Sequence, residues 1–219
     1  MFGPIDWQRT VYMIIILLIA IDIHELAHAV VADRLGDPTP RRMGEISLNP
    51  FVHMDQFGII LLLITSITQF GFTYGRTHVT PTNLKFGPQR GNAIVALVGP
   101  LSNLALAGLI VIPLTLYTNH SFNGAVDLSQ NQRIFLSLAV ILNVLLFVLN
   151  LLPIPPLDGF TVLGGFLTAR QMYALAPLQQ WGFLVLLLLV FTGVIGNIIY
   201  PAMGDVINVL CPNGCLYAS

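Results

Sequence analysis

Apolar and polar residues come in blocks along this chain rather than in alternation. Five apolar stretches run from about Thr10 to Val31, Phe57 to Phe72, Asn92 to Tyr117, Ile134 to Leu152 and Trp181 to Ala202. Four of them approach or exceed the ~20 residues that an α-helix needs to cross a hydrocarbon core. The second is shorter and carries Gly58, Thr65, Ser66, Thr68 and Gln69. It reads as a re-entrant or membrane-surface segment, in which backbone polar groups are satisfied by protein rather than lipid. The connections hold most of the charge and the turn formers, over 33–55, 75–91, 119–132 and 153–180. Continuous apolar runs exclude a β-barrel, whose strands alternate apolar and polar positions. The pattern predicts an all-α polytopic membrane protein. It has about four transmembrane helices, one re-entrant or surface segment, and a short strand-like loop around Gly44–Met54, where Glu45-Ile46-Ser47-Leu48 alternates.

Composition narrows the class. The 219 residues are 55% hydrophobic and only 9% charged, with a mean hydropathy of +0.81. A soluble domain carries roughly 25% charged residues, so a cytosolic globule is excluded, and so is a disordered chain. The net charge of −1 and the lack of a basic stripe exclude a nucleic-acid partner. The first apolar run has Arg9 as its only preceding basic residue and no small-residue cleavage site, and it continues into polar residues at helical spacing. It reads as a retained helix rather than a signal peptide. Cys211 and Cys215 stand in Cys-Pro-Asn-Gly-Cys. A lone C-x3-C is a weak metal signal, and the pair reads as inert thiols unless the tail meets an oxidising compartment.

The chemistry is concentrated in the first helix, at His24-Glu25-Leu26-Ala27-His28. Residues four apart share one face of a helix, so both imidazoles can reach one ion. Glu25 lies about 100° round the helix from His24, within reach of a water on that ion. Two histidines and a carboxylate base are the zinc-hydrolase arrangement. Each charged group at the centre of a membrane helix costs ~2.5–3.5 kcal/mol on insertion scales, so such groups persist where they pair or bind something. Asp22 points about 200° away from His24 and reads as a packing or outer-sphere residue. A catalytic zinc needs a third protein ligand. His53, His78 and His120 are candidates, and Asp158 is the better one. It follows Asn150-Leu151-Leu152-Pro153-Ile154-Pro155-Pro156-Leu157 and precedes Gly159. There the prolines end the fourth helix and the glycine permits a sharp turn.

Together, His24-Glu25-x-x-His28 and Asn150-x-x-Pro153…Leu157-Asp158-Gly159 resemble the site-2 protease family of intramembrane zinc metalloproteases. Gly99-Pro100-Leu101-Ser102-Asn103 and Gly44-Glu45-Ile46-Ser47-Leu48-Asn49-Pro50 are similar to the same family. The resemblance covers the chain from about Ile21 to Tyr200. It implies an intramembrane zinc endopeptidase with one Zn2+, held by His24, His28 and Asp158, and with Glu25 as catalytic base. Asn150 would be a polar neighbour of the reacting carbonyl. The implied partners are the lipid bilayer and a single-pass transmembrane substrate, which the Gly44–Met54 loop would meet by strand addition. The chain would be one integral-membrane protease domain over 1–219, with a catalytic core of about 10–160 and a C-terminal helix of about 178–203. Within these residues there is no PDZ or CBS domain to select substrates. A metal or ion transporter is the first alternative; it predicts polar groups on several helices and internal repeats, which the sequence lacks. A catalytically silent scaffold is the second; it predicts loss of Glu25 or a ligand, and all are present.

Topology follows from the need for the ligands to meet. If the second stretch does not span, Asp158 emerges on the same side as the histidines. That side then holds Arg34, Arg41, Arg42, Arg76, Lys85, Arg90 and Arg170, while the other holds only Arg9 and Arg133. The positive-inside rule makes the richer side cytoplasmic. Both termini are then extracytoplasmic, in a multi-pass protein of the cell membrane, and an outside tail permits a Cys211–Cys215 disulfide. Gly99 and Asn103, one turn apart, suit close helix packing with an interhelical hydrogen bond.

Overall fold

A computed structural model describes residues 5–69, 73–118, 127–212 and 214–216; His120 lies outside them. Among the described residues, three helices are long and apolar enough to cross a membrane: α1 (Trp7–Arg34), α4 (Pro88–Thr118) and α5 (Gln130–Asn150). Between α1 and α4 lie α2 (Thr39–Arg42) and α3 (Gln56–Ile67). The chain ends in α6 (Asp158–Gly164), α7 (Ala169–Ala174), α8 (Ala176–Phe191) and α9 (Val194–Leu210).

Side-chain contacts give the helix directions. Asn103 bonds to the Ala20 carbonyl and His28 to the Val95 carbonyl, so α4 runs antiparallel to α1. Gln8 bonds to Asn131 and Tyr12 stacks edge-on against Phe135, so α5 starts at the same end as α1. The whole connection from residue 35 to residue 87 therefore leaves and re-enters the bundle at one end. Helix α3 rises about 18 Å over its 12 residues, well short of the ~30 Å hydrocarbon core. It packs on α1, with Gly58, Leu62, Thr65 and Ser66 buried.

Small residues bring the long helices together. Ala20, Ala29, Ala32 and Ala107 are fully buried, and Met13, Leu17, Leu138, Leu142 and Leu146 fill the α1–α5 seam. Large side chains such as Ile19, Leu109 and Leu188 remain half or more exposed on the outer faces. In lipid such faces need no polar cover, and helix packing relies on small residues and interhelical hydrogen bonds instead.

The fifth apolar stretch, expected as one helix, is two. Thr192 and Gly193 break it, Gly193 sits in the left-handed region (φ 74°), and α8 and α9 meet at 78°. Glycine takes that conformation without a Cβ clash. The strand-like reading of Glu45–Leu48 is not realised: Ile46, Ser47 and Leu48 form bends, and no strand occurs among the described residues. The Glu45 carboxylate turns inward to His78, and His53 reaches the Ser47 carbonyl at 3.3 Å, so the backbone bends round buried groups. Cys211 and Cys215 form a disulfide, not the free thiols favoured from sequence, and both sulfurs are buried in the α4–α5–α9 core.

Candidate metal centre and active site

Helix α1 carries His24 and His28 one turn apart, 3% and 6% exposed. Both rings face the start of α6, where the proline-rich corner 151–157 delivers Asp158. Asp158 Oδ2 lies 3.0 Å from His24 Nε2 and 3.4 Å from His28 Nε2. Tetrahedral zinc with ligands at ~2.0–2.1 Å separates its ligand atoms by about 3.3 Å. A side chain at position 159 would run into the Leu151 and Leu152 carbonyls, so Gly159 lets this corner close.

The outer nitrogens settle which way each imidazole points its lone pair. His24 Nδ1 lies 2.6 Å from Asn103 Oδ1, and His28 Nδ1 lies 2.7 Å from the Val95 carbonyl. Both partners only accept, so both Nδ1 atoms carry hydrogen. Asn103 is itself oriented, because its Nδ2 donates to the Ala20 carbonyl (3.1 Å) and to Asn143 Oδ1 (3.2 Å). Asn143 in turn donates to the Ala139 carbonyl at 2.9 Å. With Nδ1 protonated, two Nε2 lone pairs and a carboxylate oxygen face a common point. A cation between three such donors would satisfy all of them at once, and two nitrogens with one oxygen is a set that zinc accepts. Their ligand atoms lie within 4.8 Å of one another, the one such cluster among the described residues.

Helix α4 meets the site at Gly99. A Cβ there would lie 2.6 Å from His24 Nε2 and closer still to His28. The predicted pairing of close packing at Gly99 with an interhelical bond at Asn103 is thus present. Glu25, 5% exposed, lies on the side of α1 facing a cavity of about 70 Å³. His24, Asn150, Asp158, Tyr74, Gly75 and Phe183 contribute to its lining. Asn150 borders this cavity, with its Nδ2 donated to the Leu146 carbonyl at 3.0 Å. A larger apolar cavity of about 810 Å³ lies among α3, α5, α8 and α9, and Phe183 lines both.

The other ligand candidates lie elsewhere. His53 is buried 3.7 Å from Asp22. His78 pairs with Glu45. Sequence reasoning missed Thr77, whose hydroxyl donates to Glu25 Oε2 at 2.8 Å, and Asn143. Asn143 had a signal, an amide in the middle of an apolar helix; Thr77, in a polar loop, had none.

The sequence profile of Peptidase family M50 matches residues 12–192. The chain belongs to that family, the site-2 proteases. This protease is 34% identical to "Putative zinc metalloprotease YwhC" of Bacillus subtilis, over 88% of its own length and 85% of the relative's. It is 35% identical over 80% of its length to "Putative zinc metalloprotease Rip2" of Mycolicibacterium smegmatis, and 31% over 78% to the Rip2 of Mycobacterium tuberculosis. It spans slightly under two thirds of those two Rip2 chains, 64% and 63%. No solved structure matches it. The protease is an intramembrane zinc metallopeptidase, a multi-pass membrane protein acting on membrane substrates.

Proposed function

We propose that His24, His28 and Asp158 hold the zinc ion, that Glu25 is the general base, and that the substrate is a single-pass protein cut near the cytoplasmic face. The observation that carries this reading is the convergence of two oriented Nε2 lone pairs and Oδ2 of Asp158 beside a buried carboxylate. A bound zinc supplies Lewis acidity that activates water and polarises a carbonyl. Glu25, on the cavity side of α1, takes a proton from the attacking water at a carboxylate oxygen and delivers it to the leaving amine. Asn150, on the cavity wall, offers Nδ2 to the carbonyl oxygen once it turns from Leu146. The Asn103 and Val95 acceptors keep both imidazoles in one tautomer throughout.

A substrate helix satisfies its own backbone hydrogen bonds and must unwind locally before hydrolysis. The large apolar cavity next to the small metal-side cavity supports approach from the lipid, through Phe183. The seven cations on the metal side of the bundle support a cytoplasmic active site with both termini outside. Purified wild type and Glu25→Gln, compared on a panel of single-pass substrates with metal analysis, test the reading. Glu25→Gln stops cleavage and keeps its zinc, while Asp158→Ala loses zinc. A cleaving Glu25→Gln overturns the base, and a zinc-replete Asp158→Ala overturns the ligand set.

A further inference from the structure

Residues 73–80 run without regular structure between α3 and the 3-10 turn at Pro81–Asn83, and cross α1 at Glu25. At Gly75 the crossing is so close that a Cβ would stand 2.8 Å from Glu25 Cγ and Oε1, and 2.9 Å from Ile21 Cγ1. Two residues on, Thr77 Oγ1 lies 2.8 Å from Glu25 Oε2 and 3.0 Å from the Glu25 carbonyl. The strap is itself anchored on both sides of Thr77. The Arg76 N–H donates to the His53 carbonyl (2.8 Å), the His78 N–H to Glu45 Oε2 (2.9 Å), and the Thr80 N–H to Asp37 Oδ2 (2.6 Å). Gly75 thus borders one oxygen of the carboxylate while Thr77 caps the other.

A free glutamate side chain has three rotatable bonds, and a base contributes only when its oxygen is held within reach of the proton it takes. We propose that Thr77 is a positioning residue for this proteolysis. Its hydroxyl donates to Oε2, fixes the plane of the Glu25 carboxylate, and leaves Oε1 as the proton acceptor on the cavity side. Gly75 supplies the clearance that lets the strap bring the hydroxyl so close. The inference rests on the reading of Glu25 as base. A threonine that merely fastened the strap to α1 would give the same hydrogen bond, so the test must separate orientation from stability.

Thr77→Val keeps the shape and removes the donor; Thr77→Ser keeps the donor. Full-length wild type, both variants and Glu25→Gln are assayed in detergent on the single-pass test substrate that wild type cleaves fastest, with zinc content and Tm measured on the same samples. A misplaced reacting group costs on the order of 100-fold per ångström, so Thr77→Val is expected to lower kcat by about 10–100-fold. KM, zinc content and Tm stay at wild-type values, and Thr77→Ser restores kcat. A wild-type kcat in Thr77→Val overturns the proposal, as does a loss that tracks lost zinc or lowered Tm, or a Thr77→Ser variant as slow as the valine. If Glu25→Gln cleaves like wild type, the base assignment fails first and takes the inference with it. If Glu25→Gln is dead and Thr77→Val is not slowed, only the inference falls.

Discussion

At the scale of single residues, the proposed metal centre is oriented by groups outside its ligand set. An imidazole offers either nitrogen as a ligand, and a site built on Nε2 needs an acceptor behind each Nδ1. For His28 that acceptor is a backbone carbonyl of α4, which no side-chain substitution removes. For His24 it is Asn103, held by Ala20 and Asn143. Asn103→Leu therefore leaves His24 free to turn and to change tautomer. Loss of such an outer partner lowers metal affinity by ~10–100-fold, and zinc competition against a chromogenic chelator measures it. An unchanged affinity would sink the orientation argument. That His24 and His28 share a helix face and that Asp158 stands at a helix end near them was legible in the sequence, since four-residue spacing fixes a helix face and a Pro-rich Leu-Asp-Gly corner marks a helix end. Asn143 and Thr77 were less so, because amides and hydroxyls have many bland uses and only the tertiary fold says which group they meet.

At the scale of elements, the site depends on how closely α4 and the polar connections approach α1. Gly99 faces both histidine rings, and its missing side chain leaves the space in which the two Nε2 atoms stand. Gly99→Ala places a methyl carbon against both imidazoles, so it pushes α4 outward or displaces the rings. The expected result is loss of stoichiometric zinc from the purified protein, read by metal analysis; full zinc occupancy with wild-type activity would contradict it. A second contact of this kind is Asp37, fully buried past the end of α1. Burial works to raise its carboxyl, but hydrogen bonds outweigh that and hold it below the usual range. The donors are the Thr39 hydroxyl (2.6 Å) and N–H (3.1 Å), the Thr80 N–H (2.6 Å) and Asn83 Nδ2 (3.1 Å). A depressed folded pKa stabilises above the unfolded value and is lost as pH falls through the folded one. Asp37→Asn turns a donor toward donors and is expected to cost about 1–3 kcal/mol at neutral pH. The Tm gap between wild type and variant should narrow as pH drops below ~4, the unfolded carboxylate value. A gap that is constant with pH would remove the carboxylate charge from the account.

At the scale of the whole molecule, the apolar blocks marked out α1, α4 and α5 in order because lipid imposes continuous hydropathy on any spanning segment. They also predicted that Phe57–Phe72 falls short of a span, and α3 is 12 residues long. The break in Trp181–Ala202 escaped notice, since hydropathy is the same for a straight helix and for one bent at Gly193. Orientation is the property that the fold leaves to charge. Helices α1 and α5 both point their late ends at the proposed metal centre, and Arg34, Arg41, Arg42, Arg76, Lys85, Arg90 and Arg170 all lie at helix ends, in short helices or in connections on that side. Only Arg9 and Arg133 sit at the starts of α1 and α5. The Cys211–Cys215 disulfide, beyond α9, fits an oxidising exterior for the tail. A single cysteine introduced at Lys85 should then resist a membrane-impermeant thiol reagent in intact cells and react after permeabilisation. One introduced at Asp6 should react in both. Labelling of the Lys85 position in intact cells would reverse the orientation and put the zinc chemistry at the outer face, with the substrate cut on that side instead.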